Sequence, residues 1–182
     1  RDRGATRAAR VRHRRCGLQG QFDRTAAASG FSGPRAAIRD WVLALAKISR
    51  DEALHLNLVT RLLFARGGTL DRGHKSLYAA DLRKLVRKGE GDKELLDRLI
   101  VSALIEARSC ERFGLLRDHL SDAELAAFFG SLFESEARHH STYVRLAKLF
   151  APEERVTERL AELAIEEGRI IAEGEALARM HS

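Results

Sequence analysis

Three observations in the sequence predict an all-α protein. Only 2 Pro interrupt 182 residues. Apolar residues recur at spacings of three and four through several long segments, the period of an amphipathic helix. No segment alternates apolar and polar residues as a half-buried strand does. The length suffices for one sizeable core and predicts one folded domain over residues 38–182.

The elements follow in order. Residues 1–37 mix Arg, Ala and Gly without a sustained apolar period, with a break at Gly30–Pro34, and are expected to form a basic irregular arm or a degenerate first helix. From Ile38 the pattern changes. Ile38, Trp41, Val42, Leu45, Ile48, Glu52, His55, Val59, Leu62 and Leu63 form one stripe of a long helix that stops at Gly67-Gly68. A short basic helix is expected from about Leu77 to Lys88, ended by Gly89. Asp92 is placed as the cap of a second long helix through Leu95, Leu99, Ala103, Glu106, Cys110, Phe113 and Leu116. Ser121 with Glu124 has the spacing of a capping box, and opens a helix carrying Leu125, Phe129, Leu132, Glu136, His139, Tyr143 and Leu146. Pro152 opens a last helix towards Ile171.

Two of these helices carry the phrase Glu-x-x-His, Glu52 with His55 and Glu136 with His139. Residues three apart share a helix face, so each phrase aims a carboxylate and an imidazole the same way. Glu106 lies on the apolar stripe of the helix between them. A lone ionised carboxylate buried on such a stripe costs several kcal/mol or takes up a proton. Three acids and two imidazoles on three core-facing stripes are jointly satisfied by a pair of divalent cations. Two such phrases, with a single glutamate from each remaining helix, are the ligand set of ferritin-like dimetal bundles. The expected architecture is therefore a ferritin-like four-helix bundle with additional short helices. Carboxylates with one imidazole per metal suit iron or manganese better than zinc. The fourth glutamate is absent, because no Glu precedes Glu52; Asp23 is the nearest acidic candidate, and Gln21 a neutral one. Glu111, His119 and His140 fall at or off the edge of the stripes, and His13, His74 and His181 carry no site argument.

Charge and cysteine usage narrow the function classes. Residues 1–37 hold nine Arg against two Asp, a balance of +7, so of the +6 overall the remaining 145 residues carry −1. The basic character thus belongs to the arm, and alone is a weak pointer to nucleic acid. No apolar run approaches the roughly 18 residues that span a bilayer, and the basic start has no apolar stretch after it, so neither a membrane span nor a secretory signal is expected. Cys16 and Cys110 are too few and too far apart for a disulfide framework or thiolate metal site, which suits a cytoplasmic protein. Arg83, Lys84, Arg87 and Lys88 cluster on the short helix and are candidates for holding phosphates, against the alternative of a solvated face.

Read together, these segments resemble the bacterial tRNA isopentenyladenosine hydroxylases of the MiaE type. The resemblance is carried by Ser49-Arg-Asp-Glu-Ala-Leu-His55, Glu106-Ala-Arg-Ser-Cys-Glu-Arg-Phe113, Ser135-Glu-Ala-Arg-His139, the basic segment Leu82–Arg87 and the end Arg179-Met-His-Ser182. It runs from about Asp40 onward. It implies a non-haem di-iron centre, with two Fe held by Glu52, His55, Glu106, Glu136 and His139 and with Glu52 and Glu136 as bridges. The implied reaction uses O₂ as co-substrate to hydroxylate the isopentenyl group of a hypermodified adenosine beside the tRNA anticodon. Its partners would be tRNA and an external electron donor, since no flavin or iron–sulfur motif occurs in the chain; oligomeric state is left open, a monomer being compatible. The departure is the first helix, where the family's Cys-Glu-x-Lys-Ala-Ala-like phrase is replaced by Gln21-Phe-Asp-Arg-Thr-Ala-Ala27. Two other readings share the residues: a ferritin-like ferroxidase, peroxidase or manganese catalase, and a non-catalytic RNA-binding bundle with an incomplete metal site.

Overall fold

The computed structural model describes residues 34–70 and 77–174. Among the described residues there are five helices and no strand: α1 (Pro34–Ala65), α2 (Tyr78–Lys84), α3 (Asp92–His119), α4 (Ala123–Ala147) and α5 (Glu153–Glu173). Asp23 and Gln21, like the rest of the basic arm, lie outside the described residues, as do His13, His74 and His181.

The expected elements are present, with displaced ends. α1 begins at Pro34, four residues before the expected start, because proline at the first helical position forfeits only an amide that has no intrahelical acceptor. Its last turn closes into Gly67, whose φ of 76° favours glycine. α2 stops at Lys84 rather than Lys88. Gly91, not Asp92, occupies the cap position of α3, and Asp92 is its first helical residue. The capping of α4 also differs. Asp122 rather than Ser121 is its N-cap, its carboxylate accepting from the Leu125 amide at 3.0 Å. An aspartate one position later does the same job with a charge that favours the positive helix end.

α3 and α4 form the most extensive pairing. Three residues join them, too few for anything but an antiparallel hairpin. Cross-contacts follow that register: His140 Nδ1 lies 2.8 Å from the Ala103 carbonyl, Cys110 Sγ 3.6 Å from the Phe133 carbonyl, and Phe113 stacks on Phe129 at 5.7 Å. α1 also runs antiparallel to α4, tied at one end by Arg66 and Asp122 at 2.9 Å. The core lies where α2, α3, α4 and α5 meet, and Leu82, Ile100, Leu146, Val156 and Leu163 are fully buried there. Truncating one such leucine to alanine costs about 2–5 kcal/mol.

Two buried acids hold this end together. Asp97, fully enclosed, accepts from the Arg87 side chain at 2.6 and 2.8 Å and its amide at 3.0 Å, and from Arg159 at 2.9 and 3.1 Å. Burial alone would raise its pKa, but the two guanidinium groups win and hold it down at about 2. Glu167 of α5 accepts from the Tyr78 hydroxyl at 2.6 Å and from Arg108 Nε at 3.2 Å. Neither acid stood out in the sequence.

α1 departs from its expected burial. Trp41, Ala44, Leu45 and Ile48 pack inward, with Trp41 edge-on to Phe150 at 6.4 Å. Ile38, Val42 and Val59, counted in the same stripe, are instead exposed. Among the described elements α1 packs chiefly on α4, and one neighbouring helix covers only part of an apolar stripe this wide.

Candidate metal centre

The site residues come from the middle of three helices, where the antiparallel registers bring them level. α1 supplies Asp51, Glu52 and His55; α3 supplies Glu106; α4 supplies Glu136 and His139. One ligand atom from each of Glu52, Glu106, Glu136 and His139 lies within 4.8 Å of the others, a donor set able to hold a metal ion. His139 Nδ1 sits 2.9 Å from Glu52 Oε1 and 4.0 Å from Glu106 Oε2. On the other side, His55 Nδ1 sits 3.1 Å from Glu136 Oε1 and 3.5 Å from Glu52 Oε1. Two overlapping donor groups result, one around each imidazole, with Glu52 reaching both. The rings themselves are 5.8 Å apart.

The electrostatics are those of a site short of positive charge. Glu106 and Glu136 are buried side by side, and no Lys or Arg among the described residues pairs with Glu52, Glu106 or Glu136. Burial, with the neighbouring carboxyls of Glu136 and Glu52, pushes the Glu106 pKa up to about 10. The His139 imidazole holds the Glu52 carboxyl below its usual range. Burial works against the charged His139 ring, but Glu52, Glu136 and Asp51 overcome it and raise its pKa. Nδ1 of His55 and Nδ1 of His139 are both buried and make no hydrogen bond of proper geometry, despite the carboxylate oxygens near them. Buried ring nitrogens aimed among carboxylates without bonding them suit a cation between them. The donors, carboxylates and imidazoles, fit a divalent metal ion.

Glu52 is the one acid in the cluster that is not buried, its side chain being 47% exposed, so the cluster is open on the α1 side. The sequence placed all three acids on inward stripes; the part of α1 that α4 leaves uncovered accounts for the difference. Asp51 was missed. Its Oδ2 lies 3.5 Å from Nε2 of His139, the ring nitrogen facing away from the cluster, and a carboxylate there fixes ring orientation. The signal was an acid directly before a Glu-x-x-His phrase. Tyr143 lies one turn beyond His139, and burial, with the carboxylates of Glu106 and Glu52, raises its pKa and keeps the phenol neutral. His140 bonds the α3 backbone, and Glu111 pairs with Arg108 at the surface; neither joins the cluster.

The family model described as tRNA-(MS[2]IO[6]A)-hydroxylase (MiaE) matches residues 12–182. The chain belongs to this family. It is 38% identical over 143 residues to the tRNA 2-(methylsulfanyl)-N(6)-isopentenyladenosine(37) hydroxylase of Pseudomonas putida, covering 79% of this chain and 69% of that protein. To the protein of the same name from Salmonella typhimurium it is 36% identical over 133 residues, covering 73% of this chain and 48% of that one. Among solved structures it resembles a Synechococcus protein titled as having aldehyde deformylating oxygenase activity, with a TM-score of 0.70 and 40% identity over 76% of this chain and 70% of that one. The fold of this MiaE-family chain is thus a ferritin-like helical bundle.

Of the four cations expected on the basic helix, the MiaE-family fold commits two locally. Arg87 is held by Asp97, and Lys84 by Asp81 at 2.6 Å. Arg83 bonds the Ala79 carbonyl at 2.9 Å, and neither Arg83 nor Lys88 forms an ion pair among the described residues, Lys88 acting on Glu94 only at longer range. No helix among the described residues is long and apolar enough to cross a membrane.

Proposed function

We propose that the chain is an O₂-dependent di-iron hydroxylase of tRNA, acting on the isopentenyl group of a 2-methylsulfanyl-N6-isopentenyladenosine next to the anticodon. The observation that carries this reading is the convergence of Glu52, Glu106 and Glu136 with two unbonded imidazole nitrogens in a member of the MiaE family. Glu52, Glu106 and His139 would hold one iron, and Glu136, Glu52 and His55 the other. When bound, the irons supply the activation of O₂. In the overall reaction one oxygen atom enters a carbon–hydrogen bond and the other leaves as water, so two electrons must come from an external donor protein.

The chain's own residues set the conditions for that chemistry. Burial and the neighbouring carboxyls favour the protonated form of Glu106, so a cation bound there would displace its proton, which links metal loading to the protonation of the centre. Asp51 orients the His139 ring. Tyr143 presents a neutral phenol close to the carboxylates and can donate a hydrogen bond there. Asp23, or position 21 if Gln21 stands at the family's ligand position, is the proposed place of the first-helix ligand; with neither being Glu, the chain as written would load iron poorly.

The deciding experiment incubates iron-loaded protein, reductant and O₂ with tRNA bearing the isopentenyl but not the hydroxylated nucleoside, and digests the RNA for mass analysis. A gain of one oxygen on that nucleoside is expected. Oxidation of Fe²⁺ or breakdown of peroxide at undiminished rate without RNA, and no modified nucleoside, would instead place the protein with ferroxidases or catalases. Replacing Gln21 or Asp23 with Glu is expected to raise iron content and hydroxylation together.

A further inference from the structure

A cleft of about 420 Å³ lies between α2 and α3, within the roughly 300–1,000 Å³ of small-ligand sites. Arg83 and Lys88 stand on its α2 side and Arg98 on α3, while Val86, Val101 and Ile105 form an apolar floor. No acidic residue lines it. Arg98 is tethered by Glu94 at 2.6 Å, and Lys88 carries its charge near the same carboxylate, but neither Arg83 nor Lys88 forms an ion pair among the described residues. The cleft is therefore cationic at the rim and apolar within, which fits an anion carrying a flat, apolar-faced body. A nucleotide has that form: phosphates suit an arginine fork and a lysine point charge, and a base suits an aliphatic floor.

Its position adds to the argument. Ser102 lines the cleft from α3, the helix that also carries Glu106. Ser102 also lies four residues before Glu106, about one helical turn or roughly 6 Å along α3. A second groove of about 350 Å³, between α1 and α4, has Lys47, Arg50 and Arg138, but Asp51 sits in its wall and binds Arg50 at 2.9 Å. A polyanion is better received where no carboxylate lines the wall itself.

We propose that the α2–α3 cleft seats one nucleotide of the RNA substrate, with its phosphates on Arg83, Lys88 and Arg98 and its base on Val86, Val101 and Ile105. The substituent on the base then points past Ser102 towards the carboxylate cluster. This rests on the hydroxylase reading for the identity of the RNA, but it is tested by binding, without turnover. It also divides the basic segment by role: Arg83 and Lys88 grip the ligand, whereas Arg87 secures the fold and Lys84 lies off the cleft.

The full chain is titrated with an anticodon stem-loop RNA carrying the isopentenyl adenosine, and with the same RNA bearing plain adenosine, at several salt concentrations. The Arg83→Ala/Lys88→Ala double variant is expected to bind both RNAs about tenfold or more weakly, with the salt slope reduced by about 1.5–2 for two lost phosphate contacts. Lys84→Ala is expected to retain both values. Ile105→Phe, which narrows the floor, is expected to lose the preference for the modified RNA while keeping the wild-type salt slope. Circular dichroism of each variant guards against misfolding, and the two Ala substitutions are at the surface, where folding is least disturbed. Wild-type affinity and slope in the double variant would overturn the proposal. So would no measurable RNA binding by the wild type, or equal losses in Lys84→Ala. RNA binding through this cleft without any hydroxylated product would leave the seat standing and refute the hydroxylase reading alone.

Discussion

Two groups of buried acids stand about two and a half turns apart along α3, and they are treated in opposite ways. Asp97 is wrapped by two guanidinium groups and a backbone amide. Glu106, nine residues later, faces other carboxyls and the His139 imidazole. The first is complete as it stands, and its pKa is held low. The second is incomplete, and its pKa is driven high. An acid satisfied by arginine is holding helices together. An acid surrounded by acids has the chemistry of a metal ligand. That contrast, rather than burial itself, separates structure from function in this chain.

The comparison breaks most visibly if each group is disabled in turn. Asp97→Ala leaves Arg87 and Arg159 without their buried partner and is expected to destabilise the fold by about 3–5 kcal/mol in urea titration. Glu106→Gln is expected to leave the metal-free fold as stable as wild type or more so, because it removes one of the crowded carboxyls. If both substitutions cost the same, the distinction fails. Iron should act in the reverse sense, raising the melting temperature of the wild type but not of His139→Ala or Glu106→Gln, since only a site that binds in the folded state adds stability. Iron content by elemental analysis should fall in both variants, with helicity largely kept.

Acid sharpens the same contrast at intermediate size. The carboxyl of Asp97 has a folded pKa of about 2, below its ordinary 3.8. A depressed carboxylate contributes stability fully above its unfolded value and loses it as pH falls through the folded one. The wild type should therefore weaken between about pH 4 and pH 2, by about 2–3 kcal/mol from this group, and Asp97→Asn should lack that part of the acid transition. Asp51→Asn is expected to act only on the centre, lowering metal affinity about tenfold or more without altering urea stability, as loss of a carboxylate behind a ligating histidine does. The smallest effect concerns α4. Asp122→Ala should cost about 1 kcal/mol and Ser121→Ala close to nothing, which denaturant midpoints can resolve.

The helices and the cluster were legible because both rest on local spacing. Apolar residues three and four apart placed all five helices, and Glu-x-x-His put each carboxylate on the same face as its imidazole, from which Glu52, Glu136 and His139 converge. Asp97 was not legible, because its partners Arg87 and Arg159 are 10 and 62 residues away. Nothing in its own neighbourhood distinguishes it from a surface acid. The partition of the basic segment was hidden for the same reason: only the pairing with Asp97 distinguishes Arg87 from Arg83. The exposure of Glu52 and Val59 depends on which helix lies against α1, and no period within α1 records its neighbours. Shifted caps, as at Asp122, reflect a competition between adjacent polar residues that spacing alone ranks poorly.

The three-residue turn between α3 and α4 bears on how the centre is made in time. Contacts across that hairpin close short loops, whereas Glu52 and His55 must come from more than fifty residues away in the chain. Loop closure favours the near contacts first. Glu106, Glu136 and His139 are thus expected to be brought together early in refolding, with α1 docking later to complete both donor groups. In pulsed hydrogen exchange, amides of residues 100–106 and 132–139 should gain protection before those of residues 51–55. Simultaneous protection would mean that the three helices condense as one unit.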